Sequence, residues 1–86
     1  MDINELIAIV KKKLTSEITV ENINIEDKSF LHKNHSGNED SKFHLKISIK
    51  SNELRLLNKI DSNKKIYKVL AEEVKYYIHS IQILIS

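Results

Sequence analysis

The sequence predicts an α+β fold, in which a three-stranded mixed sheet is covered on one face by two helices. Two apolar stripes at helical spacing, one in each half of the chain, predict the helices. Short segments in which polar and apolar residues alternate predict the strands. Because the chain has 86 residues, of which 41% are hydrophobic, we expect a single domain over residues 1–86 with one core.

The first helix is predicted over residues 3–14. Asp2 can cap its N-terminus, and Glu5 lies three residues later, where the partner in a capping box belongs. The apolar stripe that faces the core is formed by Ile3, Leu6, Ile7, Val10 and Leu14.

Two strands and a long loop are predicted next. Residues 19–27 alternate weakly and indicate the first strand, whereas residues 44–50 alternate clearly and indicate the second. Residues 28–42, between them, are rich in Ser, Asn, His and Asp around Gly37, the only glycine. A loop of this length is typical of a functional or disordered segment.

After a short connection that can hold one helical turn, Asp61 or Ser62 is expected to cap the second helix. Residues 80–85 alternate again and predict the third strand. The resulting order is α-β-β-α-β. The first two strands should pair antiparallel, and the second helix should bring the third strand parallel to the second. The inner face of this helix is expected to carry Ile66, Val69, Leu70, Val74, Tyr77 and Ile78.

Composition excludes several classes of function. The chain has no cysteine, so it can form neither disulfides nor thiolate metal sites, and a single glycine rules out a glycine-rich phosphate loop. No serine stands in a nucleophile-elbow context. We therefore expect no enzymatic activity and no catalytic residues.

Charge and hydropathy point to a cytoplasmic protein. The net charge of +2, from 14 basic and 12 acidic residues, is too balanced to indicate nucleic-acid binding by itself. No apolar run approaches the length of a membrane span, and the acidic start differs from a secretory signal. We expect no membrane association, and a monomer or weak homodimer when the protein is alone.

The histidines are the best candidates for chemistry, because imidazole is the commonest metal ligand where cysteine is absent, and it titrates near neutral pH. His32 and His35 lie in the long loop, although a loop histidine is more often simply solvated. His44 opens the second strand. His79 is predicted between the second helix and the third strand, at the edge of the core, where an imidazolium capping the helix C-terminus is an equally good interpretation.

Several segments of the chain resemble the BolA-like family, in family order and spacing from about residue 23 to residue 83. The most specific part is the Leu-Ala-Glu-Glu block followed by an Ile-His pair. The family's α-β-β-α-β layout looks like a class II KH fold, in agreement with the predicted elements. The matching segments are Asp27-x-Ser29 with His32 and His35, His44-Leu45-Lys46, Ile49-Lys50-Ser51, Ile66-Tyr67, Leu70-Ala71-Glu72-Glu73 and Ile78-His79-Ser80-Ile81.

The resemblance implies a non-enzymatic partner of a monothiol glutaredoxin in iron–sulfur cluster trafficking or iron regulation. The family's [2Fe–2S] cluster is shared with the glutaredoxin and its glutathione, so none is expected in the isolated protein. Carried over, the ligands are His79 and His32. His32 lies five residues after Asp27, as the family's loop ligand does, and His35 is a plausible substitute.

Two alternatives remain open. The KH-like layout, with Lys64, Lys65 and Lys68, suggests a nucleic-acid-binding transcriptional regulator, although Gly-x-x-Gly is missing and the family's Arg-His-Arg triplet is replaced at residues 62–64. The lysines also fit an ordinary solvated helix face. The other alternative is a zinc or copper site made only of His32, His35 and His79.

Overall fold

The computed structural model describes residues 1–29 and 42–86. Its elements follow the predicted order, except that the second predicted helix is divided into two. None of the helices in the described residues is long and apolar enough to cross a membrane. The elements are α1 (Ile3–Glu17), β1 (Asn22–Asp27), β2 (Phe43–Lys50), α2 (Asn52–Arg55), α3 (Lys59–Val69), α4 (Ala71–Tyr76) and β3 (Ile78–Ile85).

The sheet has the predicted mixed topology. Its strands lie in the order β1-β2-β3, with β1 antiparallel and β3 parallel to the central β2. Ile47 of β2 is paired with Ile25 on one side and with Ile83 on the other. Because side chains alternate along a strand, this register puts the isoleucines of all three strands on one face.

Helix α1 begins as predicted and ends later. Asp2 Oδ1 accepts a hydrogen bond from the Glu5 backbone N–H at 2.8 Å, so the predicted cap is confirmed. The helix continues to Glu17 rather than ending at residue 14. Residues 15–17 are polar and exposed, so they extend the helix without adding to the apolar stripe from which its end was predicted.

The predicted second helix is corrected in two respects. Its cap is Asn58, whose Oδ1 accepts from the Asp61 backbone N–H at 2.8 Å, and not Asp61 or Ser62. The helical segment is also divided at Leu70, whose φ of −99° and ψ of 19° separate α3 from α4. Leu70 is fully buried, so the apolar stripe continues across the break. The spacing of the apolar residues therefore could not predict where the helix divides. The single turn predicted before this segment is α2.

The core lies between the helices and one face of the sheet. Glu73 of the Leu-Ala-Glu-Glu block is buried beside this core and bonds Lys13 of α1, with 2.7 Å between Nζ and Oε2. That hydrogen bond raises the pKa of Lys13. The motif glutamate therefore fastens α4 to α1. The buried apolar residues are Leu6, Val10, Leu14, Ile18, Leu45, Ile47, Ile49, Leu54, Ile66, Leu70 and Ile78.

Candidate metal centre

The candidate site lies where β2 and β3 begin side by side. Phe43 is paired with Ile78, but the next pair is His44 with Ser80, so the register shifts by one residue in β3. His79 is the extra residue at this shift, as in a β-bulge. Its position inside β3 corrects the prediction that His79 lies between the second helix and the third strand. The strand starts earlier because the Phe43 backbone N–H already bonds the Tyr77 carbonyl at 2.9 Å.

The bulge brings two imidazoles together. The ring centroids of His44 and His79 lie 4.8 Å apart, with the ring planes inclined by 57°. His79 is exposed and His44 is half-buried, so solvent can reach the pair. His79 is therefore not enclosed in the core. Because α4 ends at Tyr76 and His79 lies within β3, it is not a helix-capping residue either.

The sequence-based assignment did not include His44 in the site. The only feature of the sequence that pointed to His44 is that it and Ser80 are polar residues near the starts of the second and third strands. Recognising the pair requires the register between two strands that are far apart in sequence. The alternation within each strand predicts which side chains share a face, but it does not predict which residues of the two strands are paired.

Hydrogen bonds hold His44 from both sides. On the ring, Nδ1 lies 2.6 Å from Ser80 Oγ. On the backbone, the His44 N–H donates to Ser29 Oγ at 3.0 Å, and its carbonyl accepts from the Lys28 N–H at 2.7 Å. Ser29 is itself held by Asp27, whose Oδ1 accepts from the Ser29 N–H at 2.9 Å. The backbone just after β1 is thus bound directly to the residue that carries one of the imidazoles.

The other two predicted ligands, His32 and His35, lie outside the described residues. Within the described part of the chain, no group of three His, Cys, Asp or Glu side chains could hold a metal ion. The site there consists of the His44–His79 pair with Ser80. Imidazole nitrogen suits zinc, copper, nickel and iron, so the donor chemistry fits a transition metal or an iron–sulfur cluster that obtains its other ligands elsewhere.

The predicted nucleic-acid residues lie elsewhere, on α3. Lys64 and Lys68 are exposed and one helical turn apart, whereas the Lys65 ammonium bonds the carboxylate of Glu53. The lysines line an open groove of about 940 Å³ between α1 and α3. Glu17 and Asp61 line the same groove, so its surface carries charges of both signs.

Comparison with known proteins identifies the family. Residues 14–86 match the family model described as BolA-like protein. The chain belongs to the BolA-like family. It is 30% identical over 73 residues to a Haemophilus influenzae protein named DNA-binding transcriptional regulator BolA, a match that covers 85% of this chain and 68% of that protein.

Solved structures of BolA domains share the fold. The BolA domain of SufE1 from Arabidopsis thaliana superposes with a TM-score of 0.79 at 22% identity, covering 100% of this chain and 93% of that one. BolA1 from the same plant has a TM-score of 0.76 at 25% identity, covering 92% and 87% of the two chains. The resemblance and the fold class predicted from the sequence are both confirmed.

Proposed function

We propose that this BolA-like protein is a non-enzymatic partner of a monothiol glutaredoxin and supplies histidine ligands to a [2Fe–2S] cluster shared with the glutaredoxin and its glutathione. The observation that carries the proposal is the exposed imidazole of His79 in the bulge at the start of β3. A ligand for a cluster held between two proteins must reach the surface, and this one does.

A second ligand from the loop is compatible with the chain's covalent reach. The Ser29 hydroxyl is bonded to the His44 backbone, beside the histidine pair. Three residues of fully extended chain span at most about 10 Å between Cα atoms, so the covalent reach from Ser29 permits His32 to act as a ligand. His35 has roughly twice that reach and stays the substitute. His32 and His79 are the proposed ligands.

The chemistry suits a shared cluster. Replacing thiolate ligands with neutral imidazoles reduces the negative charge on the cluster and raises its reduction potential, as in Rieske-type centres. Two histidines cannot complete the coordination of two irons, and this chain has no cysteine. The thiolates must therefore come from the partner and its glutathione, so the isolated chain should bind no cluster.

The test is to mix the protein with a cluster-loaded monothiol glutaredoxin and to record visible absorption and circular dichroism. We expect the wild-type protein to change the spectrum and His79→Ala to leave it unchanged. Gln82→Ala, an exposed change further along β3, is the matched control and should behave like wild type. His32→Ala and His35→Ala then identify the loop ligand. An unaltered spectrum with the intact protein would overturn the proposal.

A second candidate is a nucleic-acid-binding regulator. It is favoured by the Haemophilus influenzae relative, which is named a DNA-binding transcriptional regulator, and by the exposed Lys64 and Lys68 on α3. We rank it lower because Glu17 and Asp61 share the groove with these lysines and would repel phosphates. Salt separates the two functions, because phosphate contacts lose affinity steeply as salt rises.

Fluorescence anisotropy with duplex DNA tests this candidate. The double variant Lys64→Ala and Lys68→Ala should reduce the slope of log affinity against log salt by about 2, roughly 1 for each lysine. Lys11→Ala with Lys12→Ala, an exposed pair on α1, serves as the control for charge alone. Binding that is absent, or equally weakened by both double variants, would exclude α3 as a nucleic-acid interface.

A further inference from the structure

We propose that His44 and His79 together bind one divalent first-row transition-metal ion, with Ser80 as the positioning residue for His44. This site goes beyond the proposed function, because it needs neither a glutaredoxin nor the loop histidines. It also differs from the zinc or copper site expected from the sequence, which combined His79 with His32 and His35. Here the second imidazole comes from β2.

The ring separation fits two ligands of one ion. A zinc–imidazole bond of about 2.0–2.1 Å places the ring centroid roughly 3.2 Å from the metal. Two such rings at ligand angles between about 90° and 110° have centroids roughly 4.5–5.2 Å apart. The observed separation between His44 and His79 is 4.8 Å. Aromatic pairs in general range over about 4.5–7 Å, so this pair lies in the part of that range that permits shared ligation.

Ser80 gives His44 the environment of a metal ligand. Histidines that bind metals almost always use their second ring nitrogen in a hydrogen bond, which fixes the tautomer and the ring orientation. In His44, Nδ1 is bonded to Ser80 Oγ at 2.6 Å. When the neutral ring carries its proton on Nδ1 and donates it to the Ser80 hydroxyl, the lone pair lies on Nε2, which is then the ligand atom.

The backbone supports the same geometry. His44 is held through its N–H and its carbonyl by the segment after β1, and His79 lies at the register shift in β3. The two imidazoles therefore come from neighbouring strands, which hold a site more rigidly than loops do. Among the described residues the chain supplies only two ligands, so water would fill the remaining positions. Such a site is open and should prefer Cu²⁺ to Zn²⁺, as the general order of affinities predicts.

The test is a titration of the full chain with CuSO4, followed by electron paramagnetic resonance, and with ZnCl2 in competition. His44→Ala and His79→Ala should each weaken Cu²⁺ binding at least tenfold, and Ser80→Ala by about tenfold, the usual effect of losing an outer-shell partner. Gln82→Ala and the double variant His32→Ala with His35→Ala are the controls and should bind like wild type. Loss of binding in the loop double variant, with His44→Ala unaffected, would overturn the proposal.

A measurement on the wild-type protein tests the site even if one of the variants does not fold. Two-bond ¹H–¹⁵N spectra report the ring nitrogens of all four histidines during the ZnCl2 titration. We expect the signals of His44 Nε2 and of one His79 nitrogen to shift together with a one-to-one endpoint. Shifts confined to other histidines, or no shift at all, would contradict the site.

This proposal and the glutaredoxin proposal can fail separately, because the titrations contain no glutaredoxin. Cluster spectra that respond to His79→Ala, with Cu²⁺ binding insensitive to His44→Ala, would defeat only the metal pair. Cu²⁺ binding that requires both histidines, with no spectral change in the glutaredoxin mixture, would defeat only the cluster partnership.

Discussion

The two faces of β2 differ sharply in what surrounds them. On one face Leu45, Ile47 and Ile49 lie against the helices and are at most 2% exposed. On the other face His44, Lys46 and Ser48 are only half-buried. Burial of apolar area supplies most of the folding free energy, so the covered face stabilises the domain. The open face can carry polar side chains at little cost, and the histidine pair lies there.

The largest effect should come from the covered face. Ile47→Ala removes a fully buried side chain from the centre of the sheet and should reduce the free energy of unfolding by about 2–5 kcal/mol. Folded domains are typically stable by only roughly 5–15 kcal/mol, so this is a large fraction. The neighbouring Ser48→Ala, on the open face, is the control and should stay within about 0.5 kcal/mol. Urea denaturation measures both, and equal losses would abolish the distinction between the faces.

A buried polar group should come next. Ser51, which is fully buried at the end of β2, donates from Oγ to the Thr19 carbonyl at 2.7 Å and accepts from the Leu54 N–H at 3.2 Å. Ser51→Ala leaves both groups without this partner and should cost about 1–3 kcal/mol in the free energy of unfolding. Asn58→Ala, which removes the exposed cap of α3, is the matched control at about 1 kcal/mol. Thermal denaturation measures both variants. If Asn58→Ala proved less stable than Ser51→Ala, this prediction would be wrong.

A smaller effect should appear at acidic pH, at Glu53. Hydrogen bonds from the Lys65 ammonium and then from the Thr19 backbone N–H hold the pKa of this carboxyl below its usual value of 4.5. Because the folded pKa lies below the unfolded one, the contribution is present above the unfolded value and is lost as pH falls through the folded value. Glu53→Gln should therefore make the loss of stability between neutral and acidic pH shallower.

The control for Glu53 is Glu17→Gln, since Glu17 is exposed at the end of α1 and forms no ion pair with any residue that the structure describes. Denaturant titrations at a series of pH values measure the slope of the free energy of unfolding. If Glu17→Gln changed the pH dependence of the free energy of unfolding in the acidic range as much as Glu53→Gln does, that dependence would reflect overall charge rather than the Glu53 contacts.

The smallest effect on stability should come from the site itself. His79→Ala truncates an exposed side chain at a bulge and should change the free energy of unfolding by no more than about 0.5 kcal/mol. The same variant should abolish the response of the glutaredoxin-bound cluster, so function and stability are separable on this face. Differential scanning calorimetry checks it, and a loss comparable with that of Ser51→Ala would show that the imidazole is structural.

Predictions from the sequence succeeded where one local signal was sufficient. The alternation over residues 44–50 and the stripe from Ile3 to Leu14 placed a strand and a helix, and the element order led to the correct mixed sheet. The cap at Asn58 could also have been predicted, because Asn58-x-x-Asp61 is a sequence signal for a helix N-terminus. The break at Leu70 was not readable, since a buried leucine continues the apolar stripe whether the helix is straight or divided.

The sequence by itself determined the fold class and the polar and apolar faces of the strands. It also excluded thiolate chemistry and made His79 a candidate metal ligand. Only the tertiary structure decided that His44 is the residue beside it. The two histidines are 35 positions apart in the sequence, and their contact depends on the parallel register of β2 and β3 and on the one-residue shift that puts His79 in a bulge. The alternation within each strand fixes which face its residues occupy, but the pairing of two strands so far apart in sequence is set only in the folded chain.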